Sequence, residues 1–118
     1  NKAVYNMPIA LRLKGELDKA SLQQALNALL IRHEVLRTRL VEQDGQAYQI
    51  IEQNISFPLI IKEDIKEDVL HEIIVAEALK PFDLNQVPLI RGQLIELSAK
   101  EHILLLTQHH IAGDGWSM

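Results

Sequence analysis

The sequence contains no cysteine, and this absence excludes three kinds of chemistry. A disulfide framework, a thiolate metal site and a cysteine nucleophile all need that side chain. The sequence also lacks any apolar run close to the roughly 20 residues that cross a bilayer. It has no internal repeat and no linker rich in proline, glycine or serine. The 118 residues therefore fit one domain, or part of one, and not two complete domains.

The charge balance is mildly acidic, with 16 acidic against 12 basic residues and a net charge of −4. A protein that binds nucleic acid neutralises phosphates with lysine and arginine side chains. The excess of acidic residues therefore argues against a nucleic-acid partner. The first residues, Asn1 to Tyr5, do not form a signal peptide. We expect a cytoplasmic domain that binds neither nucleic acid nor a membrane.

Hydrophobic periodicity predicts six strands and two helices. The strands are predicted at residues 9–14, 35–41, 46–52, 57–61, 89–97 and 102–108. Asp18 is the predicted N-cap of the first helix, whose apolar residues recur at helical spacing. Asp64 and Glu67 form a capping-box-like pair at the start of the second helix, which should end before Pro81.

The strand patterns predict an α+β fold. The first strand alternates, with Ile9, Leu11 and Leu13 on one face, and should be half-buried. The last strand is apolar on both faces from Ile103 to Leu106, so it should lie in the middle of a covered sheet. We therefore predict helices packed against a mixed sheet.

The residues that follow this last strand carry the most chemistry. Two adjacent histidines, His109 and His110, precede a glycine-rich turn that contains Asp114. Neighbouring strand residues point to opposite faces, and the chain has no thiolate, so a metal site is disfavoured. Two interpretations remain. The histidines are core residues next to an ordinary turn, or one of them moves a proton or orients a substrate.

The same segment resembles the signature of a known superfamily. His109-His110-x-x-x-Asp114-Gly115 is similar to the HHxxxDG motif of chloramphenicol-acetyltransferase-like proteins. The similarity is strongest to the condensation domains of nonribosomal peptide synthetases. Related acyltransferases and epimerisation domains share this motif, so a second motif is needed to choose among them.

Two further motifs narrow the resemblance to condensation domains. Residues 32–40 read RHEVLRTRL and resemble RHExLRTxF, with Leu40 in place of phenylalanine. Residues 81–84 and 88–91 read PFDL and PLIR, and they resemble a PFDL…PLxR segment that lies between the other two motifs. With three motifs in the right order, the chain is identified as a member of the condensation-domain family by resemblance.

The resemblance implies a fold and a place within a larger domain. The fold is a chloramphenicol-acetyltransferase-like two-layer sandwich, in which helices cover a mixed sheet. A complete condensation domain resembles two such lobes with the active site at their junction. Residues 1–118 would be the N-terminal part of the first lobe, incomplete at both ends. We expect this fragment alone to be inactive.

The resemblance also implies a reaction, amide-bond formation in nonribosomal peptide synthesis. A donor acyl or peptidyl thioester is joined to the amine of an acceptor aminoacyl thioester, and phosphopantetheine arms of carrier proteins hold both substrates. The expected partners are the donor and acceptor peptidyl carrier proteins, a neighbouring adenylation domain and the C-terminal lobe. No cofactor is expected to bind the chain directly. The alternatives are an epimerisation domain and a non-catalytic condensation-like module that recruits other proteins.

Three residues of the HHxxxDG-like motif receive roles from the resemblance. His110 matches the catalytic position, where it would accept a proton from the amine or orient the amine. His109 would be structural, because it points to the opposite face of the strand. Gly115 would leave a backbone amide open towards the thioester oxygen, since a side chain there would crowd the approach, or it is an ordinary turn glycine.

Asp114 is either a substrate-binding acid or a structural residue, and the resemblance suggests the structural role. A carboxylate in a loop at the end of a covered strand needs a cation, and the resemblance suggests a salt bridge that holds the loop. Arg37 is the expected partner, and Arg32 and Arg91 are the alternatives.

Asp114→Asn in a complete condensation domain should lower both activity and stability, because an amide cannot replace the carboxylate of an ion pair. Rates of amide formation and thermal unfolding of the variant measure the two effects. Full activity with an unchanged melting temperature would contradict the salt bridge.

Overall fold

A computed structural model of the chain describes residues 6–109. In chain order the elements are strand β1 Asn6–Lys14, helix α1 Lys19–Arg32, a 3₁₀ helix Glu34–Arg37, strands β2 Thr38–Gln43, β3 Gln46–Ile51 and β4 Leu59–Lys62, a 3₁₀ helix Glu67–Val69, helix α2 Leu70–Leu79, and strands β5 Ile90–Ser98 and β6 Glu101–His109. The predicted order of strand, helix, three strands, helix and two strands is present.

The strands form one mixed four-stranded sheet and a separate hairpin. The order in the sheet is β1-β6-β5-β4. Strands β1 and β5 pair antiparallel with β6, whereas β4 lies parallel to β5. Strand β6 thus has a partner on each side, as its apolar sequence predicts. Strands β2 and β3 pair around the predicted turn at Asp44 and Gly45, whose φ angles are 54° and 77°.

The two helices pack on opposite faces of the four-stranded sheet. Leu26 and Leu30 of α1 form a cluster with Ile90 of β5. Leu70, at the start of α2, packs with Ile95 of the same strand. Positions 90 and 95 are an odd number of residues apart, so their side chains point to opposite faces. The predicted α+β class, with helices against a mixed sheet, is confirmed. None of the helices within residues 6–109 is long and apolar enough to span a bilayer.

Helix α1 begins at the predicted cap. The Asp18 carboxylate accepts hydrogen bonds from the backbone N–H groups of Ala20 at 3.0 Å and Ser21 at 3.2 Å, and from the Ser21 hydroxyl at 3.0 Å. These bonds, those of Ser21 foremost, hold the pKa of the Asp18 carboxyl below its ordinary value because they favour the charged form. The N-cap predicted from sequence is confirmed.

The strand predicted at residues 35–41 is wrong in its first half. Residues 34–37 form a 3₁₀ helix, and the strand begins at Thr38. Leu36 has no exposed surface in this 3₁₀ helix, where it packs with Leu26 and Leu30 of α1. The burial of this side chain outweighs the β-propensity of the surrounding residues.

The predicted capping box of α2 is also wrong. The helix begins at Leu70, and its N-cap, Val69, makes no side-chain cap bond. The Glu67 carboxylate instead pairs with the Arg12 guanidinium at 3.0 Å, and this hydrogen bond lowers the pKa of Glu67 below its ordinary value. The predicted end of the helix is correct, since Lys80 is the C-cap.

Strand β1 lies at an edge of the sheet and is less buried than predicted. Its residues Met7, Ile9 and Leu11 are 38%, 47% and 46% exposed. The predicted alternation is correct, because these three side chains share the face that carries α1. The predicted half-burial is wrong, because α1 packs over β5 and β6 and leaves this edge open.

Gly92 of β5 lies in a tightly packed part of the core. A Cβ atom at this position would lie 2.9 Å from Phe57 Cε1, 3.2 Å from Leu106 Cδ2 and 3.3 Å from Leu59 Cδ1. Phe57 is buried in the cluster under α1 and has little room to move. The close approach of these side chains therefore requires glycine.

Gly92→Ala should destabilise a complete condensation domain by about 1–3 kcal/mol, the usual cost of overpacking a core. Urea unfolding measures the loss. Phe57→Leu removes the closest clashing atoms, so the same glycine substitution should cost less in that background. An equal cost in both backgrounds would show that the steric explanation is wrong.

Candidate active site

Strand β6 ends at His109, the first residue of the HHxxxDG-like motif. His109 is 6% exposed and lies opposite Asn6 of β1 in the strand register. Its ring contacts the ring of Phe82, with centroids 6.0 Å apart and ring planes at 89°. This perpendicular arrangement is favourable for aromatic pairs, and it packs His109 against the segment that follows α2.

Backbone hydrogen bonds at Leu89 join two motif segments to His109. The Leu89 N–H donates to the Leu36 carbonyl at 2.9 Å, and the His109 N–H donates to the Leu89 carbonyl at 3.0 Å. A further bond joins the Leu40 N–H to the Leu84 carbonyl at 3.1 Å. The described parts of the three motifs therefore meet at the end of β6.

Arg37 is buried in the 3₁₀ helix that follows α1. Its Nε donates to the Leu30 carbonyl at 2.7 Å, and its Nη2 to the Ile31 carbonyl at 3.3 Å. Both carbonyls belong to the last turn of α1, where a positive charge is favourable. Its Nη1 donates to the Glu52 carbonyl at 2.6 Å. These bonds use three of the five N–H donors of a guanidinium, and the pairing with Asp114 stays a prediction.

A second arginine, Arg91, is largely shielded from solvent and binds the end of α2. Its Nη2 donates to the Glu77 carbonyl at 3.0 Å and to the Lys80 carbonyl. Its Nε donates to the Glu77 carboxylate, whose other oxygen accepts a 2.7 Å bond from Gln93 Nε2. The ion pair is desolvated, because the Arg91 and Glu77 side chains are 15% and 6% exposed.

Phe82 lies between Arg91 and His109. The Arg91 Cζ atom is 4.1 Å from the centroid of the Phe82 ring, a cation–π distance. His109 contacts the same ring. An open cavity of about 370 Å³ adjoins this group, and Phe82, Arg91 and Glu77 are among the residues that line it.

The structure describes two of the five site residues that the resemblance names. His109 and Arg37 are both buried, and the bonds of Leu89 and Leu36 connect the segments that carry them. His110, Asp114 and Gly115 lie outside the described residues, so their roles stay predictions.

Sequence reasoning missed two side chains of this region, Glu77 and Asn6. Asn6 Nδ2 donates to the Ala78 carbonyl at 3.0 Å and to the Lys80 carbonyl at 2.6 Å, so it joins β1 to the end of α2. One signal could have revealed Glu77. It is a single carboxylate within the otherwise apolar stretch 73–79, and a buried carboxylate needs a cation.

Residues 6–109 contain no group of three or more side chains that could together bind a metal ion. The two described histidines of β6 lie at opposite ends of the strand. His102 Nε2 is 3.5 Å from the Glu96 carboxylate at one end, and His109 contacts Phe82 at the other. The described chemistry is therefore that of hydrogen bonds, ion pairs and aromatic contacts.

The family to which the chain belongs follows from a comparison with family models. The model described as "Condensation domain" matches residues 1–118. The chain belongs to the condensation-domain family. Surfactin synthase subunit 2 of Bacillus subtilis (strain 168) is 43% identical over 113 residues, which are 96% of this chain and 3% of that protein. The first curated relatives are all much longer, and the chain spans 2% to 5% of their lengths.

Solved structures share the fold of this condensation-domain segment. The X-domain in complex with OxyB from teicoplanin biosynthesis is 33% identical with a TM-score of 0.82, and the match covers 89% of this chain and 23% of that one. The starter condensation domain of rhizomide synthetase RzmA is 19% identical with a TM-score of 0.80. The match covers 93% of this chain and 28% of that one. The chloramphenicol-acetyltransferase-like fold that the sequence motifs imply is confirmed.

Arg37→Lys should destabilise a complete condensation domain by about 2–3 kcal/mol, because a single ammonium cannot serve the three carbonyls that Arg37 binds. Urea unfolding measures the loss. Arg39→Lys is the matched control, since Arg39 is half-exposed and its 3.5 Å pair with Glu52 should contribute less than about 0.5 kcal/mol. Equal small losses in both variants would contradict the role given to the three bonds.

Proposed function

We propose that this segment belongs to a condensation domain that forms amide bonds in nonribosomal peptide synthesis. The observation that carries the proposal is the convergence of the three motif segments at the end of β6. Leu89 joins Leu36 to His109, and Phe82 packs on His109. Membership of the condensation-domain family supports the same conclusion.

The proposed reaction transfers an acyl group from sulfur to nitrogen. The amine nitrogen of the acceptor attacks the carbonyl carbon of the donor thioester, a C–N bond forms and the C–S bond breaks. The nitrogen loses a proton and the departing thiolate gains one, so the step is redox-neutral. The two phosphopantetheine arms belong to peptidyl carrier proteins and act here as parts of the substrates. An adenylation domain would supply the activated amino acids.

His110 would act on the acceptor amine, either by accepting its proton or by holding it in line with the thioester carbonyl. Its neighbour His109 points towards Phe82, on the face of the sheet that carries α2. By strand alternation we expect His110 to point to the other face. His109 would then support the site, and His110 would meet the substrates.

The segment would form part of the first lobe of the domain. It matches 23% and 28% of the two solved relatives described above, so most of such a domain lies outside it. The exposed apolar side chains of Met7, Ile9 and Leu11 on β1 offer a surface against which further parts of the same domain can pack. This arrangement would place the end of β6 in the interior of the complete domain.

One observation favours a second function, that of a non-catalytic recruitment module. The X-domain, which is 33% identical to this chain, is named in a complex with OxyB. The presence of both His110 and Asp114 favours catalysis, since modules without activity tend to lose one of them. An epimerisation domain is the remaining alternative, and the order Gly115-Trp116-Ser117 favours condensation over it.

The test uses a complete condensation domain that carries residues 1–118, together with loaded donor and acceptor carrier proteins. We expect mass spectrometry to detect an amide-linked product on the acceptor carrier protein. Inversion of the donor stereocentre without a new amide would indicate epimerisation. Binding of a partner protein without any product would indicate the recruitment module.

In the same assay, His110→Ala should leave folding nearly intact and lower the single-turnover rate by roughly 10²-fold, the usual scale for a lost acid–base group. His109→Ala should act through stability, with a loss of about 1–3 kcal/mol, because it removes a buried polar ring. His71→Ala, at an exposed position of α2, is the control and should change neither quantity. The assignment is wrong if His109→Ala abolishes the reaction at full stability while His110→Ala retains it.

A further inference from the structure

We propose that Arg91 is a positioning residue of the condensation reaction. Arg91 holds the ring of Phe82 against His109, and His109 immediately precedes His110 in the chain. The proposal rests on the proposed function, in which His110 acts on the acceptor amine. The proposed path of contacts runs from the ion pair between Glu77 of α2 and Arg91 of β5, through Phe82, to His109 at the end of β6.

The first step of this path is the orientation of the Arg91 guanidinium. Three acceptors bind it, namely the Glu77 carboxylate, the Glu77 carbonyl and the Lys80 carbonyl. The Glu77 carboxylate is held in turn by Gln93 Nε2 at 2.7 Å. Charge-assisted bonds in a desolvated place are strong and directional, so the guanidinium plane has one orientation.

The second step is the contact between Arg91 and Phe82. The Arg91 Cζ atom lies 4.1 Å from the centre of the Phe82 ring, so the cation covers one face of that ring. Phe82 follows the end of α2, and the backbone between Pro81 and Leu89 belongs to no helix or strand. Because Phe82 lies in no helix or strand, the position of its ring depends on its side-chain contacts, among them those with Arg91 and His109.

The third step is the contact between Phe82 and His109. The two rings are perpendicular, and both side chains are at most 8% exposed. The Leu89 carbonyl holds the His109 backbone, while Phe82 limits where the imidazole can lie. Adjacent Cα atoms are only about 3.8 Å apart, so a shift at His109 is passed to the next residue. A misplacement of about 1 Å in a reacting group can cost roughly 10²-fold in rate.

Two substitutions test separate parts of this path. Arg91→Lys keeps the positive charge but loses the planar fork that binds three acceptors and stacks on the ring. Phe82→Leu keeps an apolar side chain but removes the ring that contacts both Arg91 and His109. If geometry at the end of β6 is what matters, both variants should impair the reaction although charge and burial are largely retained.

The chain offers a matched control for each variant. Arg12→Lys changes an arginine of β1 that pairs with two carboxylates, those of Glu67 and Glu101, and has no described contact with Phe82. Phe57→Leu removes the same atoms from a phenylalanine that is buried on the opposite face of the sheet. Each control reproduces the chemical change without touching the proposed path.

The first measurement is the single-turnover and steady-state kinetics of a complete condensation domain, expressed per folded molecule. We expect kcat to fall about tenfold in Arg91→Lys and Phe82→Leu, with KM for both loaded carrier proteins changed by less than about twofold. Arg12→Lys and Phe57→Leu should keep the kcat of the unsubstituted domain, although Phe57→Leu lowers the melting temperature. The proposal is overturned if Arg91→Lys has unchanged kcat, or if Phe82→Leu acts only through the folded fraction, as Phe57→Leu does.

The second measurement is NMR of ring-labelled histidines, and it separates the positioning role from the proposed function. The imidazole resonances of His109 and His110, assigned with the two alanine variants, should shift in Arg91→Lys and Phe82→Leu and stay in place in the two controls. If the unsubstituted domain makes no amide product, the proposed function is wrong. The imidazole shifts still test whether Arg91 and Phe82 influence the positions of His109 and His110. Unchanged His110 resonances in both test variants would overturn the positioning role.

Discussion

The burial of strand β6 on both faces is the constraint on which the rest of this structure depends. Residues Ile103, Leu104 and Leu105 are at most 5% exposed, and their side chains point alternately to the two faces. The backbone N–H and C=O groups of a strand that is shielded from water must form hydrogen bonds within the protein. Strands β1 and β5 provide these bonds on the two sides of β6. The side chains need cover on both faces, and α1 and α2 supply it. The HHxxxDG-like motif begins at the last described residue of this central strand.

Two arginines, Arg37 and Arg91, perform the same physical task for the two helices. Arg37 binds carbonyls in the last turn of α1, and Arg91 binds carbonyls in the last turn of α2. The free carbonyls and the dipole at a helix C-terminus both favour a cation there. Both helices therefore end against a guanidinium. Leu36, next to Arg37, accepts a hydrogen bond from Leu89, and Arg91 follows Leu89 by two residues in the sequence. Hydrogen bonds thus connect the helix ends with the end of β6.

Such a connected set of contacts suits the chemistry proposed for this family member. A thioester is already activated, so acyl transfer to an amine gains much from holding the two reactants in line. A histidine that comes directly after a packed residue of a central strand, as His110 follows His109 in the sequence, can be held within the small tolerance that such alignment needs. The contacts around His109 are of the kind that provide this, since Leu89 binds its backbone, Phe82 packs on its ring, and Arg91 in turn covers the ring of Phe82.

The sequence by itself determined the features that depend on neighbours along the chain. A run of residues that is apolar on both faces placed β6 in the interior, Asp18 caps α1, and Asp44 with Gly45 forms the turn between β2 and β3, because each feature depends on a few adjacent residues. The motifs likewise named Arg37 and His109 by resemblance. Only the tertiary structure decided the 3₁₀ helix at 34–37, the open face of β1, and the partners of Arg91. Those features depend on groups far apart in sequence, such as Glu77 and Arg91, whose pairing exists only once α2 has packed on the sheet.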